Sequence, residues 1–332
     1  MTKVLITGGG GYVGSVLVPQ LLDQGCDVVV YDILYYGNRL PTDRRNLRVV
    51  QGDIRDTQKL SAALEGVETV LHLACISNDA SFELDERLST SVNLECFEPL
   101  VLAAKRAGVG RFVYCSSSSV YGVSDAPEVR EDHPLVPLTH YNKYKAMCEP
   151  ILWSHQAPDF TCVTIRPATV CGYSPRMRMD LSVNILTNHA VNNGKITVFG
   201  GSQKRPNLHI QDMCDAYKLM MGAPAEKIAG QTFNIGYQNH SIMEIATFVR
   251  TAVMDEYPGR PDINIVTTPT DDIRSYHINS DKIHATLGFR PKRTIEDAVR
   301  DICRAFRADR LPNSMTDEIY FNVRRMKALK AA

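Results

Sequence analysis

Beginning at residue 8, four consecutive glycines interrupt the run KVLITGGGGYVGSVL. Glycine loses more backbone freedom on folding than any other residue, so such a run weakens a helix or a strand alike. Its setting explains it. KVLIT (residues 3–7) is a short apolar run of the kind that forms a buried parallel strand, and Val13 to Asp23 carries apolar residues at helical spacing. Between them, Gly8 and Gly9 allow a tight turn, Gly11 lets the backbone approach a pyrophosphate, and Gly14 lets the helix pack on the strand. The N–H groups around Tyr12 and Val13, with the helix dipole, favour an anion there. The next strand, DVVVYD, ends in Asp32, where a carboxylate accepts both ribose hydroxyls and repels a 2′-phosphate. The pattern therefore predicts NAD rather than NADP. Asp53 and Ile54 close the third apolar run, where an adenine edge can rest.

The same alternation continues. Strands are expected at 27–32, 47–53, 68–74, 111–117 and 161–167, with helices at about 85–107 and 141–156. Strands alternating with helices predict an α/β fold, a Rossmann-type doubly wound parallel sheet. After Pro167 the pattern becomes irregular. Short strands (ITVFGG, NLHI) and helices near 181–193, 211–221, 241–254 and 294–308 suggest a smaller C-terminal substrate-binding lobe. Residues 1–170 are thus expected to form the dinucleotide-binding domain and 171–332 mainly the lobe, with segments around 205–240 returning to the sheet.

Lysines plus arginines equal aspartates plus glutamates at 37 each, so no general field attracts nucleic acid or an anionic membrane. No apolar run is long enough to span a bilayer. Nine scattered cysteines without a CxxC pair read as small buried hydrophobes in a reducing, cytoplasmic setting, and no metal site is expected.

Tyr141 and Lys145 lie four apart on an expected helix and share a face. Tyrosine is a poor base at neutral pH, and a neighbouring ammonium lowers its pKa toward a phenolate able to take the proton of a sugar hydroxyl. His140 beside Tyr141 is read as structural. Together, TGGGGYVG, HLA at 72–74, SSSSVYG at 116–122 and YNKYK at 141–145 resemble the extended short-chain dehydrogenase/reductases, and within them the NAD-dependent nucleotide-sugar epimerases and dehydratases. The likeness runs to KRTIEDAVRDICRAF near the C-terminus. It implies Ser117 as the third catalytic residue. It implies Leu73, Ala74 and Asn93 beside the cofactor, and Ser117, Ser118 and Thr169 beside the sugar. It implies diphosphate-gripping roles for Arg205 with His209, for Arg274, and for Arg176 and Arg178.

The 4,6-dehydratases of this group carry an acid pair directly after the catalytic Ser or Thr; here those places hold Ser118 and Ser119. The resemblance therefore implies hydride transfer at one sugar carbon, C4 foremost, by a nucleotide-sugar epimerase serving polysaccharide biosynthesis. The alternatives are a nucleotide-sugar 4-dehydrogenase or reductase, for example on a heptose, and a non-catalytic nucleotide sensor. Common 4-epimerases have Asn where Thr169 stands. Relatives pair the helices near 85–107 and 141–156 into a homodimer, for which Val101, Leu102, Ile151 and Leu152 are candidate contacts.

Overall fold

The apolar runs assemble into one seven-stranded parallel sheet. The structure is a computed structural model and describes residues 2–270 and 275–331. The strands are β1 (Lys3–Thr7), β2 (Asp27–Asp32), β3 (Leu47–Gln51), β4 (Thr69–His72), β5 (Arg111–Cys115), β6 (Thr161–Pro167), β7 (Thr169–Cys171), β8 (Lys195–Phe199), β9 (Lys204–His209), β10 (Gln231–Ile235), β11 (Gln238–Ser241) and β12 (Asn264–Thr268). The large sheet has the order β10-β6-β5-β4-β1-β2-β3. Val4, Leu5 and Ile6 of β1 are completely buried, as a central parallel strand covered on both faces requires. The order reverses at β1, which pairs with β2 on one side and β4 on the other. A crevice opens at the carboxyl ends of such strands, and it holds the ligand in sheets of this class. The expected Rossmann-type α/β fold is the one observed.

The remaining strands form two small sheets, β11-β9-β7 and β12-β8. The helices Ser182–Asn193, Ile242–Glu256 and Ile295–Arg307 pack around a separate apolar cluster that includes Val183, Ile245, Val249 and Val299. β10, from this second half of the sequence, pairs parallel with β6 at the edge of the large sheet. Two elements lie beyond the last expected helix: a short turn of helix at Glu318–Tyr320 and the helix Asn322–Ala331.

One expected element is broken. Instead of a continuous helix over 85–107, the chain forms Glu86–Thr90, a wide-turned segment Ser91–Glu95, and Phe97–Arg106. The bulge carries Asn93, whose carboxamide accepts from the Ile76 amide (2.8 Å) and donates to the Ile76 carbonyl (2.9 Å). Single wide turns of this kind recur at functional sites. The proposed dimer contacts also need correction. Val101 and Leu152 lie fully inside the protomer's own core. Both helices turn these residues toward the sheet, leaving Leu102 and Ile151 half-buried.

Candidate active site

A cavity of about 540 Å³ lies over the crevice. Its floor is the glycine turn. Gly8 has φ +72°, and a Cβ there would stand 2.7 Å from the Ala74 amide nitrogen, so only glycine lets the turn touch the end of β4. At Gly14 a Cβ would stand 2.5 Å from the Cα of Gly9. These two approaches bring the first turn of helix Gly14–Asp23 against the end of β1. The amides of Gly11 and Gly10 are satisfied by the Gly8 carbonyl (3.0 Å) and the Asp32 carboxylate (2.9 Å). Among the described residues nothing accepts from the Tyr12 and Val13 amides, which remain available to an anion at the helix N-terminus. The Tyr12 side chain plays no such part: its hydroxyl is buried and donates to the Gly172 carbonyl at 2.6 Å.

Asp32 closes one end of the cavity. Its oxygens accept from Gly10 and from Leu34 (2.7 Å), and burial pushes its pKa up against those bonds. Asp53 and Ile54 also line the cavity, but the Asp53 carboxylate is clasped by Arg55. That pairing lowers its pKa and leaves Ile54 as the apolar contact. Leu73 and Ala74 follow on the opposite wall.

At the other end Ser117, Ser118, Ser119, Tyr141, Asn142, Lys145 and Thr169 share the wall. Thr139 caps the helix His140–Ser154 by accepting from the Asn142 amide, which sets Tyr141 and Lys145 in its first two turns. Ser119 donates to the Asn142 side-chain oxygen (2.5 Å), so Ser117 donates to Ser119 (2.6 Å), while the Ser119 amide donates to Ser117. The Ser117 hydroxyl is thereby fixed beside the cavity. The Lys145 ammonium is almost fully buried and donates to the Cys115 carbonyl at 2.7 Å. Burial works against its charge, but the surrounding Cys75, Cys115 and Cys148 thiols outweigh it and its pKa is raised.

The ammonium does not lower the tyrosine as expected. Burial holds the Tyr141 hydroxyl well above the ordinary tyrosine range, the Cys75 and Cys115 thiols add to this, and the cation opposing it is Arg178. Lys145 is oriented instead toward the carbonyl at the end of β5.

Arg176 and Arg178 lie close together but take different partners. Arg178, paired with Asp180 at 3.0 Å, lies at the Tyr141 end of the cavity. Arg176, near enough to Arg178 to be disfavoured by its charge, is stacked on Tyr36 and close enough to Asp32 to stabilise the carboxylate's charge. Arg205 lines the cavity with its guanidinium 5.3 Å from the Tyr276 ring centre. His209 is not there at all. It is buried, accepts through Nδ1 from the Gln211 amide as the N-cap of helix Ile210–Gly222, and faces Asp301 through Nε2 at 3.3 Å. Residues 205 and 209 fall on the same face of β9, but the strand ends at His209, where the chain turns into helix Ile210–Gly222 and the imidazole is used as its cap. Asn93 likewise holds the Ile76 backbone and does not line the cavity. Arg274 falls outside the described residues.

Sequence reasoning missed the loop after β4, where Cys75, Ile76, Ser77, Asn78 and Asp79 line the cavity. Asn78 has φ +71°, a conformation that costs a non-glycine residue roughly 1–3 kcal/mol and clusters at ligand sites. With ψ at 156° the residue lies in a region otherwise essentially confined to glycine, and its side chain accepts from the Ser81 amide. It also missed Asn322 and Met326 of the C-terminal helix, which reach the cavity from the far end of the sequence.

A family model, the NAD dependent epimerase/dehydratase family, matches residues 4–236. The chain belongs to this family. A UDP-glucose 4-epimerase from Lactobacillus helveticus is 30% identical over 319 residues, spanning 90% of this chain and 94% of the relative. A dTDP-glucose 4,6-dehydratase from an Actinoplanes species is 29% identical over 328 residues, 93% and 98% of the two chains. Among solved structures, DesIV, a dTDP-glucose 4,6-dehydratase from Streptomyces venezuelae with NAD and TYD bound, superposes with a TM-score of 0.82 at 27% identity, over 93% of this chain and 98% of that one. MoeE5 in complex with UDP-glucuronic acid and NAD superposes with a TM-score of 0.79 at 26% identity, over 92% and 99%. The epimerase/dehydratase family is one of NAD-dependent enzymes, and NAD is this chain's cofactor. The free Tyr12 and Val13 amides, the glycine contacts and Asp32 fit it. No helix among the described residues is long and apolar enough to cross a membrane.

Proposed function

We propose that this enzyme is a nucleotide-sugar 4-epimerase. The observation that carries the reading is the wall around Ser117: Tyr141, Lys145 and Ser117 line one end of the cavity, and the two places after Ser117 hold hydroxyls where 4,6-dehydratases carry an acid pair. The cavity's carboxylates at that end, Asp180 and Asp79, are engaged with Arg178 and Thr139. NAD, held by the glycine turn and Asp32, would supply the hydride chemistry at the sugar carbon. The chain's own part is the proton. Tyr141 accepts it from the sugar hydroxyl and returns it, and the positive charge of Arg178 favours the phenolate against the burial that opposes it. Ser117, fixed by Ser119 and Asn142, holds the sugar oxygen. Arg205 suits a substrate diphosphate.

A 4-dehydrogenase or reductase is the second reading, favoured by Thr169 on the cavity wall where common 4-epimerases have Asn. One experiment separates the two. A panel of nucleotide sugars is incubated with purified protein, products are identified by NMR, and NADH is followed by absorbance. Epimerisation gives product without net NADH; oxidation gives one NADH per sugar. Tyr141→Phe is expected to lower turnover about 10²–10⁴-fold while NAD binding survives, the range for a lost general base. Full activity in that variant refutes the mechanism.

The reading includes a homodimer through the outer faces of helices Phe97–Arg106 and His140–Ser154, where Met147 is 40% exposed and Leu102 and Ile151 are half-buried. A strict monomer by light scattering at micromolar concentration removes this element.

A further inference from the structure

Two guanidinium nitrogens at the cofactor end of the cavity are buried without a partner. Arg176 is 4% exposed. Its Nη2 donates to Asn322 Oδ1 at 2.5 Å, and its guanidinium carbon lies 3.6 Å from the centre of the Tyr36 ring. Nε and Nη1 meet no acceptor among the described residues. Burial lowers its pKa to about 10, whereas that of Arg178, paired with Asp180, is raised. A desolvated charged donor left unsatisfied is destabilising, and native structures carry few of them. The nearby carboxylates, Asp180 among them, favour its charge from a distance but give neither nitrogen a hydrogen bond: Asp180 is bonded to Arg178, and Asp32 to two backbone amides. The site is built for an anion that the chain itself does not supply.

Its position says which anion. The Arg176 amide donates to Ser15 Oγ (3.3 Å) in the first turn of helix Gly14–Asp23, next to the free Tyr12 and Val13 amides. Its side chain lines the same cavity as Asp32 and the glycine turn. Within a dinucleotide the adenine and ribose moieties are neutral, and the diphosphate carries the charge.

We propose that Arg176 is a ligand of the cofactor diphosphate, held in place by the C-terminal helix through Asn322. The helix is anchored on both sides of the cleft. Asn322 donates through Nδ2 to Ser77 Oγ (2.8 Å) and through its amide to Asp180 (3.2 Å). Arg325 donates to the Tyr35 carbonyl (2.7 Å) beyond the end of β2. Asn322–Ala331 is therefore a strap from the loop after β2 to the loop after β4, and part of the dinucleotide site.

Calorimetric titration of nucleotide-free protein with NAD, ADP-ribose, NADP and adenosine tests this. Arg176→Gln is expected to weaken NAD and ADP-ribose equally, about 10- to 100-fold, and to leave adenosine unchanged. Unchanged NAD affinity overturns the proposal. So does a loss confined to NADP, which would assign the arginine to a 2′-phosphate, and so does an equal loss for adenosine, which would mark general damage. If Arg176→Gln does not fold, Asn322→Ala carries the test: it keeps the arginine but frees it, and NAD is expected to weaken about 3- to 10-fold with adenosine unchanged. No change there overturns the proposal. Titration reads binding, not turnover, so its outcome is independent of which sugar the enzyme converts.

Discussion

The helix that carries Tyr141 and Lys145 is tied to the sheet by a buried ion pair, and breaking it is a quantitative test of the site's construction. Glu149 and Arg166 have side-chain exposures of 0% and 3%. Arg166 of β6 donates through Nη2 (2.6 Å) and Nε (2.9 Å) to the two carboxylate oxygens. Ser116, just beyond β5, donates to the same carboxylate at 2.6 Å. Glu149→Met keeps the length and removes all three acceptor contacts. Removing one partner of a buried pair costs about 3–5 kcal/mol, because the other charge stays buried without compensation. Unfolding entropy near 2.1 cal/mol/K per residue gives roughly 0.7 kcal/mol/K for 332 residues. The unfolding midpoint is therefore expected to fall by roughly 4–7 °C, read by calorimetry. The double variant Glu149→Met with Arg166→Met removes both charges and is expected to recover most of the loss. A single variant within about 1 °C of wild type, or a double variant no more stable than the single, refutes the argument that the pair clamps this helix.

Two further outcomes are expected. Asp32→Ala removes the acceptor placed for the ribose hydroxyls and the negative charge facing a 2′-phosphate, so NAD should weaken about 10- to 100-fold and the preference against NADP should narrow; wild-type protein that binds both equally by calorimetry contradicts the assignment. His72 is buried against Thr7 (2.7 Å), and burial, with Lys145 adding, lowers its pKa to about 3. Between that value and the ordinary one near 6.5 the unfolded chain holds a proton the folded chain lacks, so this group contributes no slope above about pH 6.5 and costs up to ~1.4 kcal/mol of stability per unit below it. Urea unfolding from neutral pH to about pH 5 should show a shallower decline in His72→Gln than in wild type; identical slopes would show that His72 is not held neutral.

The sequence by itself determined the strand–turn–helix at its start, the parallel sheet, the acid at Asp32 and the Tyr141–Lys145 face. Each rests on a relation between residues close in the chain: the reach of a glycine turn, the length of an apolar run, the four-residue pitch of a helix. Tertiary structure decided everything that depends on residues brought together from far apart. Arg176 and Arg178 are two apart in sequence and stay close in space, yet they take different partners, Arg176 bonding Asn322 and stacking on Tyr36 while Arg178 pairs with Asp180. His209 matches a substrate-binding spacing but caps a helix, since the chain turns at its position. Asn93 holds Ile76, 17 residues away, at the expense of a regular helix. The C-terminal helix gave no local sign of a role, because its contacts join Asn322 to Arg176, 146 residues back, and to Ser77, 245 residues back. Periodicity reports which face of an element is apolar. It carries no information about which partner a polar side chain meets, since that is fixed only when the sheet closes the distance.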